Sequence, residues 1–124
     1  MHKQMARIFF DNEQLVKILV ENIPEFKGLI SPEFEFSAYI IYGDFGIFLR
    51  DKIMERSDSE GFSNRSFGLI NMLIEQGDEK IIQMLRVTTF EILTDYNETI
   101  SASRKYLKGD ALKVFLDVLA FIKG

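Results

Sequence analysis

Apolar residues recur along this chain at three- and four-residue intervals. Sustained alternation is confined to Glu33-Phe34-Glu35-Phe36-Ser37, so the periodicity predicts helix almost throughout. A first helix is expected from about Asn12 to Asn22, with Leu15, Ile18 and Leu19 on one face, Asp11 or Asn12 as its cap, and Pro24 in the turn beyond. A second should open at Ser31-Pro32-Glu33, where Ser suits the cap and Pro the first helical position. Ile41, Phe45, Phe48, Leu49 and Ile53 would form its stripe, ending near Arg56. Gly43 and Gly46 lie inside it, each weakening a helix by up to about 1 kcal/mol relative to Ala, so a kink or a fresh start at Asp44 is compatible with the pattern.

Ser57-Asp58-Ser59-Glu60-Gly61 reads as a loop, too short to separate two domains. Phe67, Ile70, Leu73 and Ile74 then mark a third helix ending at Gln76-Gly77. Asp78 should cap a fourth with the stripe Ile82, Leu85, Thr89, Ile92 and Leu93. A shorter, more polar helix follows from Tyr96 to Leu107. After Lys108-Gly109-Asp110 comes an amphipathic last helix carrying Leu112, Phe115, Leu116, Leu119 and Ile122. Gly-Asp pairs at 43-44, 77-78 and 109-110 stand 34 and 32 residues apart, near the period of paired-helix repeats, although their flanking residues do not match. The expected fold is all-α: one compact domain over 1–124 with about five or six helices, for which paired-helix (HEAT/armadillo-like) stacking is one arrangement.

Composition agrees with a packed core. A chain of 124 residues can bury roughly two thirds of the surface it exposes when unfolded, and 47% hydrophobic with 27% charged residues lies far from the disordered regime. Twelve Phe and no Trp give that core a ring-filled character. The absence of Cys removes disulfides, thiolate catalysis and Cys-based zinc sites, and is compatible with a reducing, cytoplasmic compartment. The first ten residues lack the apolar region of a secretory signal. The greasiest windows, Tyr39 to Leu49 and Val114 to Ile122, are interrupted by Asp44 and Asp117 and fall short of a bilayer span, so no membrane association is expected.

Charge is uneven. Residues 1–62 hold 11 Asp/Glu against 7 Lys/Arg, and residues 63–124 hold 8 against 8, so the whole excess of −4 lies in the first half. An acidic chain repels nucleic-acid phosphates, which makes a basic protein surface the expected partner and free DNA or RNA not.

Catalytic constellations find little purchase. Asp44-Phe45-Gly46 spells the kinase metal-binding tripeptide but lacks the Gly-rich loop, strand lysine and catalytic loop that give it meaning. His2 is the sole histidine, so no triad or multi-histidine metal site can be assembled, and no catalytic residue, metal or cofactor is expected. Carboxylates alone can run glycosidic or metal-assisted chemistry, and a carboxylate-only enzyme stays open as a third reading. Asp51 and Glu55 sit among Arg50, Lys52 and Arg56 and read as a solvated face. Glu91, Asp95 and Glu98 have no basic residue between them and oppose one another at helical spacing, which points either to an interaction surface or to an exposed face relieved by a distant cation. Phe34, Phe36, Tyr39 and Tyr42 cannot all face one core; with Glu33 and Glu35 interleaved, they would make an anchor-and-acid patch or pack between helix layers.

The segments Ile23-Pro24-Glu25-Phe26, Tyr42-Gly43-Asp44-Phe45-Gly46-Ile47-Phe48-Leu49, and the run from Arg86 through Leu93 to Leu107-Lys108-Gly109 resemble a family of small bacterial all-helical domains. Such domains are similar in size and setting to immunity proteins encoded beside polymorphic or contact-dependent growth-inhibition toxins. The resemblance implies a toxin inhibitor acting by protein-protein interaction, with Gly43-Asp44 as a structural helix break and cap and with no catalytic residues. The expectation is therefore a cytoplasmic immunity protein that occludes a cognate, basic nuclease toxin, without cofactor or small-molecule ligand. Glu33, Glu35, Tyr39, Glu91, Asp95 and Glu98 are the candidate partner-binding residues. The alternative is a helical scaffold or adaptor holding a peptide or sister subunit in a groove between stacked helices.

Overall fold

The computed structural model describes residues 7–34, 37–56 and 61–124. Among them the architecture is all-helical: α1 (Asn12–Asn22), 3-10 turns at Pro24–Leu29 and Pro32–Phe34, α2 (Ala38–Met54), α3 (Phe62–Gln76), α4 (Glu79–Leu85), a π turn (Arg86–Phe90), α5 (Glu91–Leu93), α6 (Asn97–Tyr106) and α7 (Gly109–Lys123). The only extended pairing among the described residues is an isolated parallel bridge between Ile8 and Gly77.

Local chemistry explains the starts of α1 and α4. Asp11 closes a reciprocal cap on α1: its carboxylate accepts from the Gln14 amide at 2.8 Å, and the Asp11 amide donates to the Gln14 side chain at 2.9 Å. Asp78 accepts from the Ile81 amide at 3.2 Å and starts α4, as its position after Gly77 predicts. Two starts differ from expectation. Ser31-Pro32 opens only a short 3-10 turn, and Ser37, not Ser31, precedes α2. Lys108 precedes α7, whose first residue Gly109 takes a left-handed φ of +53°, so Asp110 lies in the first turn and not at the cap. A third correction concerns Gly43-Asp44: α2 runs unbroken through both residues, so the pair is neither a break nor a cap. The loop expected at Ser57 to Glu60 lies outside the described residues.

α2 is the central element, touching α1, α3, the π turn, α5 and α6. It buries Ala38, Ile41, Tyr42, Phe45, Gly46 and Leu49. Phenylalanine rings pack edge-on around it: Phe26 meets Phe45 at 5.9 Å, Phe48 meets Phe62 at 5.6 Å, and Phe90 meets Phe115 at 5.8 Å, the offset geometry that aromatic quadrupoles favour. α4, the π turn and α5 form one continuous rod, because every backbone angle at the two junctions stays right-handed helical. Where this rod crosses α2, Gly46 admits close approach: a Cβ on it would stand 3.0 Å from Thr89 Cα. Two buried hydroxyls tie the crossing. Tyr42 Oη donates to the Leu15 carbonyl at 2.7 Å, and Thr89 Oγ1 donates to the Tyr42 carbonyl at 2.9 Å, so α1, α2 and the π turn are linked through one residue.

The segment before α1 is held from the opposite side. Arg7 donates to the carbonyls of Ile74, Glu75 and Gly77 at 2.7, 2.8 and 3.1 Å, supplying a cation to the carbonyl end of α3.

α7 corrects the expected core face. Ala111, Phe115 and Val118 are buried, Leu112, Leu116 and Leu119 are half-buried, and Ile122 is 43% exposed beside an 85% exposed Phe121. The helix is apolar on most of its circumference, so its sequence periodicity could not single out one face.

Candidate functional site

The outward side of α2 carries a regular pattern. Ile40, Asp44, Ile47, Asp51 and Met54 are all exposed and follow one another at intervals of four, three, four and three residues. In a helix that spacing keeps all five within one narrow stripe, since each seven-residue step returns almost to the same azimuth. Three apolar side chains thus alternate with two carboxylates along about 21 Å, at 1.5 Å per residue. Core packing does not require these apolar residues, because the buried face of α2 already lies on the other side.

Beside this stripe, the turn between α5 and α6 adds Asp95 and Tyr96. Arg50 joins the two: Nη1 donates to Asp95 Oδ2 at 2.8 Å, Nε donates to Asp51 Oδ1 at 3.2 Å, and the guanidinium lies 6.0 Å from the centre of the Tyr96 ring. The hydrogen bond to Asp95, then the one to Asp51, raises the pKa of Arg50 against the opposing effect of burial. One guanidinium is shared by two carboxylates, and Asp44 adds a third acid along the face. Such a face presents net negative potential interleaved with apolar and aromatic contact area.

The five described residues among the six candidates do not form one site. Asp95 lies at the α2 face. Glu91 lines a cleft on the other side of its rod, with Gln83, Arg86, Val87, Val118, Phe121 and Ile122, and has no ion pair among the described residues. Glu98 is exposed in the first turn of α6, also without an ion pair among the described residues. A turn at Thr94 to Tyr96 separates α5 from α6, so Glu91 and Glu98 do not share a helix. Tyr39, 52% exposed, borders a pocket of about 250 Å³ with Phe9, Asp11, Asp78 and Lys80. Glu33 sits on the 3-10 turn, accepting weakly from the Ser31 hydroxyl at 3.4 Å. Glu35 and Phe36 lie outside the described residues, as does His2.

Ile40, Ile47 and Met54 lie outside the inward stripe expected for α2, and Asp51, expected on a solvated face, is bound to Arg50. The seven-residue spacing of the three apolar residues was the available signal, masked by the stronger inward stripe on the same helix. The distant cation imagined for the acidic run is Arg50, brought to Asp95 across 45 positions. Elsewhere, Glu25 and Arg65 form a two-pronged ion pair at 2.9 and 2.6 Å, which lowers the Glu25 pKa from an ordinary 4.5 to about 2. Burial in the core pushes the Tyr42 hydroxyl pKa up. Among the described residues, no three His, Asp or Glu side chains are placed to hold a metal ion together, and no helix is long and apolar enough to cross a membrane.

Fold and surface together define an all-helical protein with an acidic, apolar-studded face on its central helix. The chain belongs to the family described as Domain of unknown function (DUF7674), whose model matches residues 16–123 and so includes all of α2 through α7. Comparisons with curated proteins and with solved structures returned no match.

Proposed function

We propose that this chain acts by binding a basic protein through the α2 face, as a cytoplasmic immunity protein that neutralises a bacterial toxin with a nuclease domain. The observation that carries this reading is the outward α2 stripe with its neighbours: Asp44, Asp51 and Asp95 surround exposed Ile40, Ile47, Met54 and Tyr96, with Arg50 as their shared counter-charge. Acidic side chains on a protein that blocks a nuclease stand where the substrate's phosphates would go. They also raise association rates through long-range attraction, while the apolar residues slow dissociation. The mechanism would be occlusion of the toxin's substrate groove, with no chemistry performed by this chain.

The test is affinity capture from the native host, comparing the natural chain with a triple variant, Asp44→Lys, Asp51→Lys and Asp95→Lys, followed by mass spectrometry and a nuclease assay on the recovered partner. Recovery of a basic nuclease domain that the natural chain inhibits, and the triple variant does not, is the expected result. If both chains recover the same proteins, or none of the recovered proteins is basic, the reading fails.

A second reading has its own observation. The cleft between the α4–α5 rod and α7 exposes Val87, Phe121 and Ile122 around about 190 Å³ of space, a groove between neighbouring helices of the kind a peptide-binding adaptor with paired-helix stacking would use. Loss of a captured partner on Phe121→Ser, with retention in the triple α2 variant, would favour the adaptor over the immunity protein.

A further inference from the structure

We infer that the α2 face docks a basic amphipathic helix of the partner, laid along α2 in register with Ile40, Ile47 and Met54. This rests on the binding reading above and adds the shape and chemistry of the element that is bound.

The spacing supplies the first argument. Exposed apolar residues at positions 40, 47 and 54 repeat every seven residues, and the exposed acids 44 and 51 repeat with the same period, offset by four. A helix packed nearly parallel or antiparallel to another meets it at this period, because seven residues make almost two whole turns. An extended strand, advancing about 3.3 Å per residue with alternating sides, would meet the three apolar positions at irregular points of its own repeat. α2 is also long enough to serve, since its 17 residues run without interruption from Ala38 to Met54.

Charge decides which helix. A second copy of α2 would bring Asp44 and Asp51 of one chain against the same acids of the other, with Arg50 already committed to Asp51 and Asp95. Like charges facing one another at an interface are unfavourable, so self-pairing is disfavoured. An anionic membrane surface or nucleic acid meets the same objection. A helix with apolar residues at heptad spacing and Lys or Arg on its flank satisfies both the apolar and the acidic positions. Tyr96, 45% exposed at the margin, adds aromatic area against which the alkyl stem of such a cationic side chain can pack.

The test uses three synthetic fluorescein-labelled peptides of about 18 residues, long enough to match α2, as probes: a Leu/Lys peptide with Leu at heptad spacing, its Leu/Glu counterpart, and a Ser/Lys peptide in which Ser replaces each Leu, so that its charge equals that of the first. Fluorescence anisotropy is measured against the natural chain, against Asp44→Lys with Asp51→Lys, against Ile47→Ser, and against Leu29→Ser, an exposed apolar residue outside α2, as the control. We expect saturable binding of the Leu/Lys peptide alone, weakened about tenfold by Ile47→Ser and more by the double charge reversal, and unaffected by Leu29→Ser. Ile47 is 41% exposed and outside the core; unchanged far-ultraviolet circular dichroism checks that its replacement leaves folding intact, and Ile40→Ser repeats the test one heptad away.

Equal binding of the Ser/Lys peptide would overturn the inference and leave only unspecific attraction to acids. Absence of Leu/Lys binding, or binding that survives both α2 variants, would overturn it as well. Neither result touches host capture of a basic nuclease, so failure of the helix geometry and failure of the immunity reading are told apart.

Discussion

Gly43 and Gly46 stand three residues apart in the interior of the same helix, yet alanine should act on them with opposite sign. At Gly43 an added Cβ meets nothing within 4 Å, so Gly43→Ala gains the helical preference of Ala and should stabilise the fold by about 0.5–1 kcal/mol. At Gly46 the same atom would stand 3.0 Å from Thr89 Cα and 3.1 Å from Ile92 Cδ1. Carbon atoms prefer about 3.5–4.0 Å, so α2 and the rod must part by about half an ångström. Thr89 is poorly placed to yield, because its hydroxyl is bonded to the Tyr42 carbonyl at 2.9 Å and its backbone belongs to the π turn. Overpacking of this kind costs about 1–3 kcal/mol, which exceeds the propensity gain and leaves Gly46→Ala destabilised by about 1 kcal/mol. The two variants should therefore differ by about 2 kcal/mol, or about 8 °C in Tm for a chain of this length. Urea and thermal unfolding followed by circular dichroism would measure the gap, with equal urea slopes confirming a common unfolded state. Placing Gly46→Ala in an Ile92→Val background removes the Cδ1 contact and tells how much of the cost comes from that side chain and how much from the Thr89 backbone. A Gly46→Ala protein as stable as Gly43→Ala would refute the close helix crossing.

Three other outcomes follow from the same packing. The folded-state pKa of Glu25 lies below its ordinary value, so its pair with Arg65 contributes stability that is full above about pH 4.5 and lost as pH falls toward about 2; Glu25→Gln should abolish that portion of the acid limb. The carboxylate is 38% exposed, so water screens the pair and the portion should not exceed about 1 kcal/mol in pH-dependent unfolding curves. Arg7→Ala removes three charge-assisted bonds to the end of α3 and should cost about 1–2 kcal/mol, with faster hydrogen exchange at the Ile8 and Asp78 amides that bridge there. Ser66 is fully buried, and its hydroxyl has no hydrogen-bond partner among the described residues; Ser66→Ala should raise the urea midpoint by an amount worth about 1 kcal/mol.

The helical class, the position of α1 and the Gly77-Asp78 junction were legible in the sequence because each rests on interactions a few residues long: a 3.6-residue apolar period, an Asp side chain reaching an amide three positions on, and a Pro that cannot continue a helix. The start of α2 was misplaced because Ser31-Pro32 satisfies the same local rule, and only packing of Ala38 and Ile41 into the core distinguishes the turn at Pro32 from the helix at Ala38. The glycine pair shows the limit of local rules more plainly. Propensity alone offers a break at Gly43-Asp44, whereas the folded chain keeps α2 intact and uses Gly46 as the point where the Thr89 backbone can approach.

The candidate surface divides along the same line. Acidic and aromatic residues could be counted in the sequence, but their grouping could not. Arg50 reaches Asp95 only after α2 and the α5–α6 turn are brought together, and that same arrangement sends Glu91 to the α7 cleft and leaves Glu98 on a separate helix. Which apolar residues stay outside was legible only in part: the period gives the inward Ile41, Phe45 and Leu49 of α2, but it does not say that Ile40, Ile47 and Met54 are left uncovered by every other element. That choice was made by what each helix packs against. α2 is held by Tyr42, Phe45 and Leu49 on its inner side, which leaves Ile40, Ile47 and Met54 facing outward between Asp44 and Asp51.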